Sequence, residues 1–291
     1  MKLDYISARG DRLPLVNNNL FLLSNIDGQT AATASISSSV IGGADGDVVT
    51  NVQAAPRTLI IDLRIKNDVD VEEAKRAVLK VVKVKQRGTL EWSQNDRTVA
   101  ISGIVENIEM PRWNNGVAMQ ITLHCDQPFW EDIAFVIKQI NEIIDLHYFV
   151  DAETDMLYFP DEGIALGEYD TIRTKAFHND GDVAVGLEIS IVALDTVTNP
   201  IIYDGNGNFF GVGYGDGAKQ VVMQAGDNIV ITTHKGRKSV KFGSSRNLLP
   251  YVKPQSTWLQ LNAGDNLFTI DSDDENLSNM SFYLIYKQRY V

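Results

Sequence analysis

Hydrophobic and polar residues alternate along most of this chain. In the stretch RTLIIDLRI, the side chains of Leu59, Ile61, Leu63 and Ile65 fall on one side of an extended backbone, which predicts a strand with one buried face. The same period of two occurs in TLEW, RTVAISGIV and VAMQITLHC, and turn residues separate these runs. The first half of the chain is therefore predicted to form several strands.

One segment of the first half has the period of a helix instead. In DVEEAKRAVLKVVK, Asp70 is placed to cap the helix, and Glu73 follows three residues later, as in a capping box. The apolar residues recur every three or four positions, namely Val71, Ala74, Val78, Val81 and Val82. A second, short helix is predicted in IAFVIKQINEIIDLHYF from the spacing of Ile133, Ile137, Ile140 and Ile144.

The second half reads as nearly all strand. Short alternating runs occur at 172–177, 183–194, 219–223, 228–232, 238–242, 257–261, 266–270 and 280–290, with turn residues between them. This spacing is typical of a β-sandwich or jelly roll. We therefore predict a mainly β chain with a first domain at 1–130, a linker and start of the second domain at 131–165, and a β-sandwich domain at 166–291. The first domain is predicted to be a β-barrel or β-sandwich with one α-helix and an extended arm.

The arm is predicted from residues 24–56, which lie between two strand-like runs. The segment has no aromatic residue, no leucine and no Lys or Arg, and its large aliphatic residues are too few for a core of its own. Its β-branched residues favour an extended strand, whereas its Ser, Gly and Ala content also fits a flexible loop. Our hypothesis is an arm that pairs with a neighbouring subunit. The candidate contact residues are Ile36, Val40, Ile41 and Val48, with Asp45 and Asp47 at a tight turn around Gly46.

Composition and charge narrow the possible functions. Hydrophobic residues make up 44% of the 291-residue chain, which is enough for a sizeable core without a structural metal. The single cysteine, Cys125, excludes an internal disulfide, and its strand position indicates a core residue rather than a nucleophile. A net charge of −12 disfavours specific nucleic-acid binding. No apolar run reaches the ~20 residues of a membrane span, and the chain start lacks signal-peptide character, so we expect synthesis in a cytoplasm without membrane insertion.

The glycine-rich stretch NPIIYDGNGNFFGVGYGDG is the most conspicuous candidate for chemistry. It lacks the Lys-Ser/Thr of a phosphate-binding loop and the spacing of a dinucleotide fingerprint. Asp204, Asn206 and Asn208 match the first ligands of a calcium loop, but Phe209 and Gly215 replace the required Gly and Glu. We therefore interpret the stretch as hairpin turns. We find no catalytic constellation, and we predict no enzyme activity, no cofactor and no metal.

Several segments in chain order resemble a known family. GADGDVVTNVQAAPRTLIIDLRI and VAMQITLHCDQPFWED resemble the first domain of the distal tail (Dit) proteins of phages with long, non-contractile tails. IRTKAFHNDGDVAVGLEISI, MQAGDNIVITTHKGRKSVKF, LNAGDNLFTI and FYLIYKQRYV resemble the galectin-like second domain of that family. The resemblance extends over the whole chain.

The resemblance implies a structural protein of a virion. Such proteins form a ring, usually a hexamer, at the end of the tail tube, and the ring surrounds a channel for the genome. The implied partners are further copies of the chain, the tail tube protein, a tail-tip or tail-associated protein and a receptor-binding protein. The implied location is the tail tip, after assembly in the cytoplasm of the bacterial host.

Two other functions stay open on the sequence alone. One is a carbohydrate-binding or cell-wall-binding module of a prophage-encoded protein. Galectins bind sugar through His-x-Asn-x-Arg and Trp-x-x-Glu-x-Arg strands, but the residues that follow His178 and Trp258 do not complete these motifs. The other is a sandwich-fold hydrolase, for which the chain offers no recognisable pair of catalytic groups. A ring would favour the tail hub, and a monomer would favour the binding module.

Overall fold

The computed structural model describes residues 2–43, 45–95, 97–110, 118–140, 143–145, 167–169, 174–274 and 279–291. The chain divides into two compact units. The first unit contains Met1–Ala134 and Arg289–Val291, and the second contains Phe135–Gln288. Within the described part, no helix is long and apolar enough to cross a membrane.

The first unit is built on one large antiparallel sheet. Its elements are β1 (Lys2–Ser7), β2 (Arg12–Pro14), β3 (Phe21–Asp27), β4 (Ala34–Val40), β5 (Asp47–Ala54), β6 (Arg57–Ile65), α1 (Val71–Val81), β7 (Arg87–Gln94), β8 (Arg97–Glu109), β9 (Ala118–Cys125) and β10 (Trp130–Asp132). The strand order of the sheet is β2-β1-β7-β8-β9-β6-β3, and β10 pairs with β8. Among the described residues, strands β4 and β5 pair only with each other, as a separate two-stranded ribbon.

The core of the first unit follows the predicted alternation. Leu59, Ile61 and Leu63 of β6 are fully buried, and they lie opposite Leu123, Ile121 and Met119 of β9. Helix α1 packs on the same core through Ala74 and Val78. The predicted cap is confirmed, since the Asp70 carboxylate accepts a hydrogen bond of 3.1 Å from the Glu72 amide.

The second unit is a sandwich built mainly on two antiparallel sheets. Its strands are β11 (Val136–Gln139), β12 (Ile143–Asp145), β13 (Gly167–Tyr169), β14 (Thr174–Asn179), β15 (Val185–Gly186), β16 (Glu188–Ala193), β17 (Val197–Thr198), β18 (Ile201–Asp204), β19 (Phe209–Gly211), β20 (Val222–Met223), β21 (Asn228–Thr232), β22 (Ser239–Phe242), β23 (Arg246–Asn247), β24 (Gln260–Leu261), β25 (Gly264–Asp271) and β26 (Met280–Tyr286), with a 3-10 turn at Leu249–Tyr251. The larger sheet has the order β11-β26-β16-β21-β22-β23, and the smaller has β14-β25-β18-β19. Their facing side chains form one core, in which Phe268 and Ile202 lie with Ile189 and Phe282.

The predicted short helix around Ile137 is wrong. Residues 136–139 form β11, the edge strand that pairs with β26. Isoleucines spaced by three or four residues favour a helix, but all four residues of β11 pair with β26, and Val136 packs against the sandwich core whereas Ile137 is 62% exposed. Residues 141–142 and 146–165 of the predicted linker lie outside the described residues. The domain boundaries therefore stay a prediction.

The chain ends with β27 (Arg289–Tyr290), which pairs with β10 in the first unit. The guanidinium of Arg289 bonds to the Glu131 carboxylate at 2.7 Å, and the Tyr290 hydroxyl donates to Asp132 at 2.8 Å. The Arg97 guanidinium stacks 3.4 Å from the centre of the Tyr290 ring. These contacts fix the last residues to the sheet.

We predict that the first unit loses stability at high pH, because two of its side chains stay neutral in the folded state. Burial raises the pKa of Cys125 to about 11, and burial with the Asp132 hydrogen bond raises the pKa of Tyr290 to about 12. The unfolded chain ionises these groups near ~8.5 and ~10. Between these pKa values the folded state binds more protons than the unfolded state. The contribution of the two groups to the free energy of unfolding is therefore fully present below about pH 8 and is lost as the pH rises toward 12. We expect the melting temperature, followed by circular dichroism, to fall across this interval.

The Tyr290→Phe variant is the control for this pH dependence. It keeps the stacked ring but cannot ionise, so it should lose less stability than the parent chain above about pH 10. Identical pH profiles for the two proteins would show that Tyr290 does not contribute.

Candidate functional site

The ribbon of β4 and β5 interrupts a pair of sheet strands. Strands β3 and β6 pair with each other at the edge of the large sheet, and the 29 residues between them, 28–56, include the ribbon. At the base, Gly28 has a φ of +80°, and a side chain there would overlap the carbonyl of Thr58. The Arg57 guanidinium donates to the Gln29 carbonyl at 3.4 Å. The ribbon therefore starts from a fixed base on the sheet.

The pairing register assigns each ribbon side chain to one of two faces. Residues directly opposite each other share a face, as Ile36 and Val52 do. The register shifts between Ser37 and Ser38, where Thr50 is the additional residue of a β-bulge, and the Thr50 hydroxyl donates to the Ser37 carbonyl at 3.0 Å.

One face of the ribbon is apolar and open to solvent. It carries Ala34, Ile36, Val40, Val49, Val52 and Ala54 together with Ser38 and Asp47, whereas the opposite face carries Ser35, Ser37, Ser39, Val48, Asn51 and Gln53. Ile36 is 62% exposed, Val40 81%, Val49 53% and Val52 60%. An isolated two-stranded ribbon is at best marginally stable in water, and exposed contiguous apolar surface marks an interaction site. The apolar face is therefore the candidate functional surface of the first unit.

The ribbon ends in an acidic turn. Ile41 follows β4 and is 53% exposed, Asp45 is exposed, and Asp47 begins β5 opposite Val40. Gly43 and Gly46 have φ values of +86° and +91°, which glycine adopts without strain. We call Val40, Ile41, Asp45 and Asp47 the arm tip.

The structure places the sequence-predicted arm residues on different sides of the ribbon. Ile36 and Val40 lie on the apolar face, and Val48 lies on the face with the serines. Val49 and Val52, which were not among the candidate contact residues, join Ile36 on the apolar face. The bulge inserts one residue at Thr50, so a strict period of two across 48–52 would place Val48, rather than Val49, on the face of Val52.

The glycine-rich stretch of the second unit consists of turns. Strands β18 and β19 form a hairpin, and the Asp204 carboxylate accepts hydrogen bonds from the amides of Asn206 and Asn208 at 2.9 and 2.8 Å. A side-chain oxygen that caps its own turn is a local structural feature. The carboxylate that matched the first calcium ligand is thus engaged in holding the turn.

Asn199 organises the rest of this stretch. It is 1% exposed, and its amide donates to the Gly215 carbonyl at 3.0 Å and to the Asp273 carboxylate at 2.6 Å. Its side-chain oxygen accepts from the Val221 amide at 2.9 Å. Gly213 has a φ of +85°, and a side chain there would overlap the Asn199 oxygen. Gly213 therefore makes room for this internal hydrogen-bond network, and Gly215 contributes a backbone carbonyl to it.

The two residues that begin the incomplete galectin motifs make contacts within the second unit. The His178 ring bonds to the Asp265 carboxylate at 2.7 Å, which raises the pKa of His178. The Trp258 ring lies 4.8 Å from the Phe210 ring, centre to centre. A galectin-like sugar site is not assembled by these contacts, and the galectin-like assignment of the second unit stays a prediction.

No protein-family model matches the sequence, and no curated protein matches it. Among solved structures, the crystal structure of the SPP1 Dit (gp 19.1) protein aligns with a TM-score of 0.68 and 13% identity over 99% of this chain and 99% of that chain. The chain has the Dit fold. The SPP1 protein is described as a paradigm of the hub adsorption apparatus in phages that infect Gram-positive bacteria.

Two structures of the phage P2 baseplate in its activated conformation, one with Ca and one with Sr, also match. Each has a TM-score of 0.46 and covers all of this chain and 99% of the other chain, at 13% and 12% identity. The Dit fold confirms the sequence-based resemblance at the level of structure, and the mainly β architecture with a helix in the first unit is confirmed with it.

Proposed function

We propose that this chain is the distal tail subunit of a phage or prophage tail, a structural hub that joins the tail tube to the host-recognition parts. The observation that carries the proposal is the Dit fold over 99% of both chains. In this role the chain is a structural protein rather than an enzyme, and it acts at the tail tip. Its partners are the tail tube protein, a tail-tip or tail-associated protein and a receptor-binding protein.

The hub is a ring of six copies. The first domains, at 1–130, close the ring around a channel, and the second domains, at 166–291, project outward and hold the attached parts. The division into two compact units supports this arrangement. The net charge of −12 suits a channel through which the genome passes without being held.

The arm closes the ring by pairing with the next subunit. Strands β4 and β5 pair only with each other, so within the described residues each has one edge of unpaired backbone groups that a neighbouring strand can use. Covering the apolar face removes Ile36, Val40, Val49 and Val52 from water. The hydrophobic effect should stabilise the contact by about 1 kcal/mol for each of these side chains. A contact of this head-to-tail kind closes a ring when the rotation per subunit divides a full turn.

The location of the chain on the virion tests the hub proposal. Gold-labelled antibodies raised against the purified chain should bind tailed particles from a producing lysate at the end of the tail remote from the head. Particles that lack the chain serve as the control and should carry no gold. Gold on cell-wall fragments, with none on tail ends, would contradict the hub and would favour a cell-wall-binding module.

A further inference from the structure

The helix of the first unit begins a basic segment in an acidic chain. Residues 74–87 contain six Lys or Arg and no acidic residue, so the other positions together carry 20 basic against 38 acidic residues, a net −18. This cluster of positive charges creates a local positive electrostatic potential, whereas the rest of the molecule is negative.

Part of this segment forms an open surface. Arg76, Lys80 and Lys83 are exposed, and they make no ion pair within the part of the chain that the structure describes. Leu79 precedes Lys80 and Val84 follows Lys83 in sequence, and each of the two is 46% exposed. We call these five residues the basic helix surface.

The cations of this surface lack the ion pairs that two neighbouring cations of the same segment make within the described residues. The Lys75 ammonium is 3.0 Å from the Glu72 carboxylate, and the Arg87 guanidinium is 2.9 Å from Asp126. Those two charges are balanced within the chain. Lys85, the sixth cation of the segment, is exposed and is not counted in the basic helix surface. The three cations of the basic helix surface and their two aliphatic neighbours are left for a partner.

The arm tip has the complementary composition. It presents two carboxylates, Asp45 and Asp47, beside Val40 and Ile41, which are 81% and 53% exposed. The whole segment 24–56 contains no Lys or Arg. Two acids beside two aliphatic side chains match three cations beside two aliphatic side chains, in both charge and apolar character.

We propose that the arm tip of one copy docks on the basic helix surface of the next copy. The proposal rests on the arm-mediated ring of the proposed function and names the place where the arm ends. Both surfaces are exposed within a single copy, and they are different surfaces, as a head-to-tail contact requires. The charges set the register and the rate of association, and the aliphatic residues are buried on docking.

Charge reversal on both sides tests the docking. One variant carries Asp45→Lys and Asp47→Lys, a second carries Lys80→Glu and Lys83→Glu, and a third carries all four changes. Light scattering over a concentration series measures the half-assembly concentration. Because close charge pairs contribute to each contact, each double variant should raise this concentration by about tenfold or more, and the third variant should return it to within about threefold of the parent value.

The control has the same change in net charge as the Lys80→Glu and Lys83→Glu variant, at a different place. Lys138→Glu and Lys241→Glu reverse two exposed cations of the second unit and should leave assembly unchanged. The effect of the reversals should also shrink in high salt, because the screening length falls to about 3 Å at 1 M.

The outcomes separate this docking from the ring itself. Rings in every charge variant, with monomers only when residues 34–54 are replaced, would retain the arm but overturn its docking on the helix. The docking would also be overturned if the variant with all four changes had a half-assembly concentration as high as that of the double variants. A parent chain that is monomeric at all concentrations would contradict the ring and the docking together. Salt-sensitive binding of double-stranded DNA that Lys80→Glu and Lys83→Glu abolish, with rings intact, would assign the surface to nucleic acid instead.

Discussion

Replacement of residues 34–54 by a short Gly-Ser linker should convert the ring into monomers and leave both units folded. Every described residue of this range is exposed, so its removal takes no side chain from either core. The β3–β6 pairing remains, and the entropy of closing a flexible loop changes slowly with its length. Light scattering should report the mass of one chain, and the circular dichroism spectrum should keep its strand signal.

Serine substitutions on the apolar face test the contribution of single side chains to the ring. Ile36→Ser with Val52→Ser should weaken the ring, because both side chains lie on the apolar face. Ser35→Thr with Ser37→Thr, on the opposite face, is the matched control and should leave the ring intact. A linker variant that still has the mass of six chains, with an unchanged spectrum, would contradict the role of the arm.

Asn199→Ala should lower the free energy of unfolding of the second unit by about 3 kcal/mol. The change removes three hydrogen bonds at a site that is 1% exposed, and it leaves the Val221 amide and the Gly215 carbonyl without their partner. A buried polar group that loses its partner costs about 1–3 kcal/mol. Urea denaturation followed by tryptophan fluorescence measures the difference.

Asn206→Ala is the matched control for this stability change. Asn206 is exposed on the β18–β19 turn, and its backbone amide, which the substitution keeps, makes the bond to Asp204. The expected change is within about 0.5 kcal/mol. Equal effects for the two variants would contradict the structural role assigned to Asn199.

Much of the first unit could be predicted from the sequence. Residues 59–65 of β6 and the capped helix α1 have local patterns that agree with their packing, so period and capping were sufficient. The predicted short helix around Ile137 is wrong because β11 pairs with β26, at Met280–Tyr286, and this tertiary pairing outweighs a local period.

The arm shows the other limit of sequence-based prediction. Its length and its lack of basic and aromatic residues identified an unusual segment, but the bulge at Thr50 concealed which valines share the apolar face. The interaction of Asn199 with Gly215 and Asp273 also joins residues that no periodicity relates.

Negative-stain electron microscopy of the purified chain tests the central claim most directly. Class averages should show closed rings with six-fold symmetry and a central opening, because the arm of each copy covers its apolar face on the next. Particles of single-chain size at every concentration, or closed dimers without an opening, would contradict the account of this protein as a ring-forming tail hub.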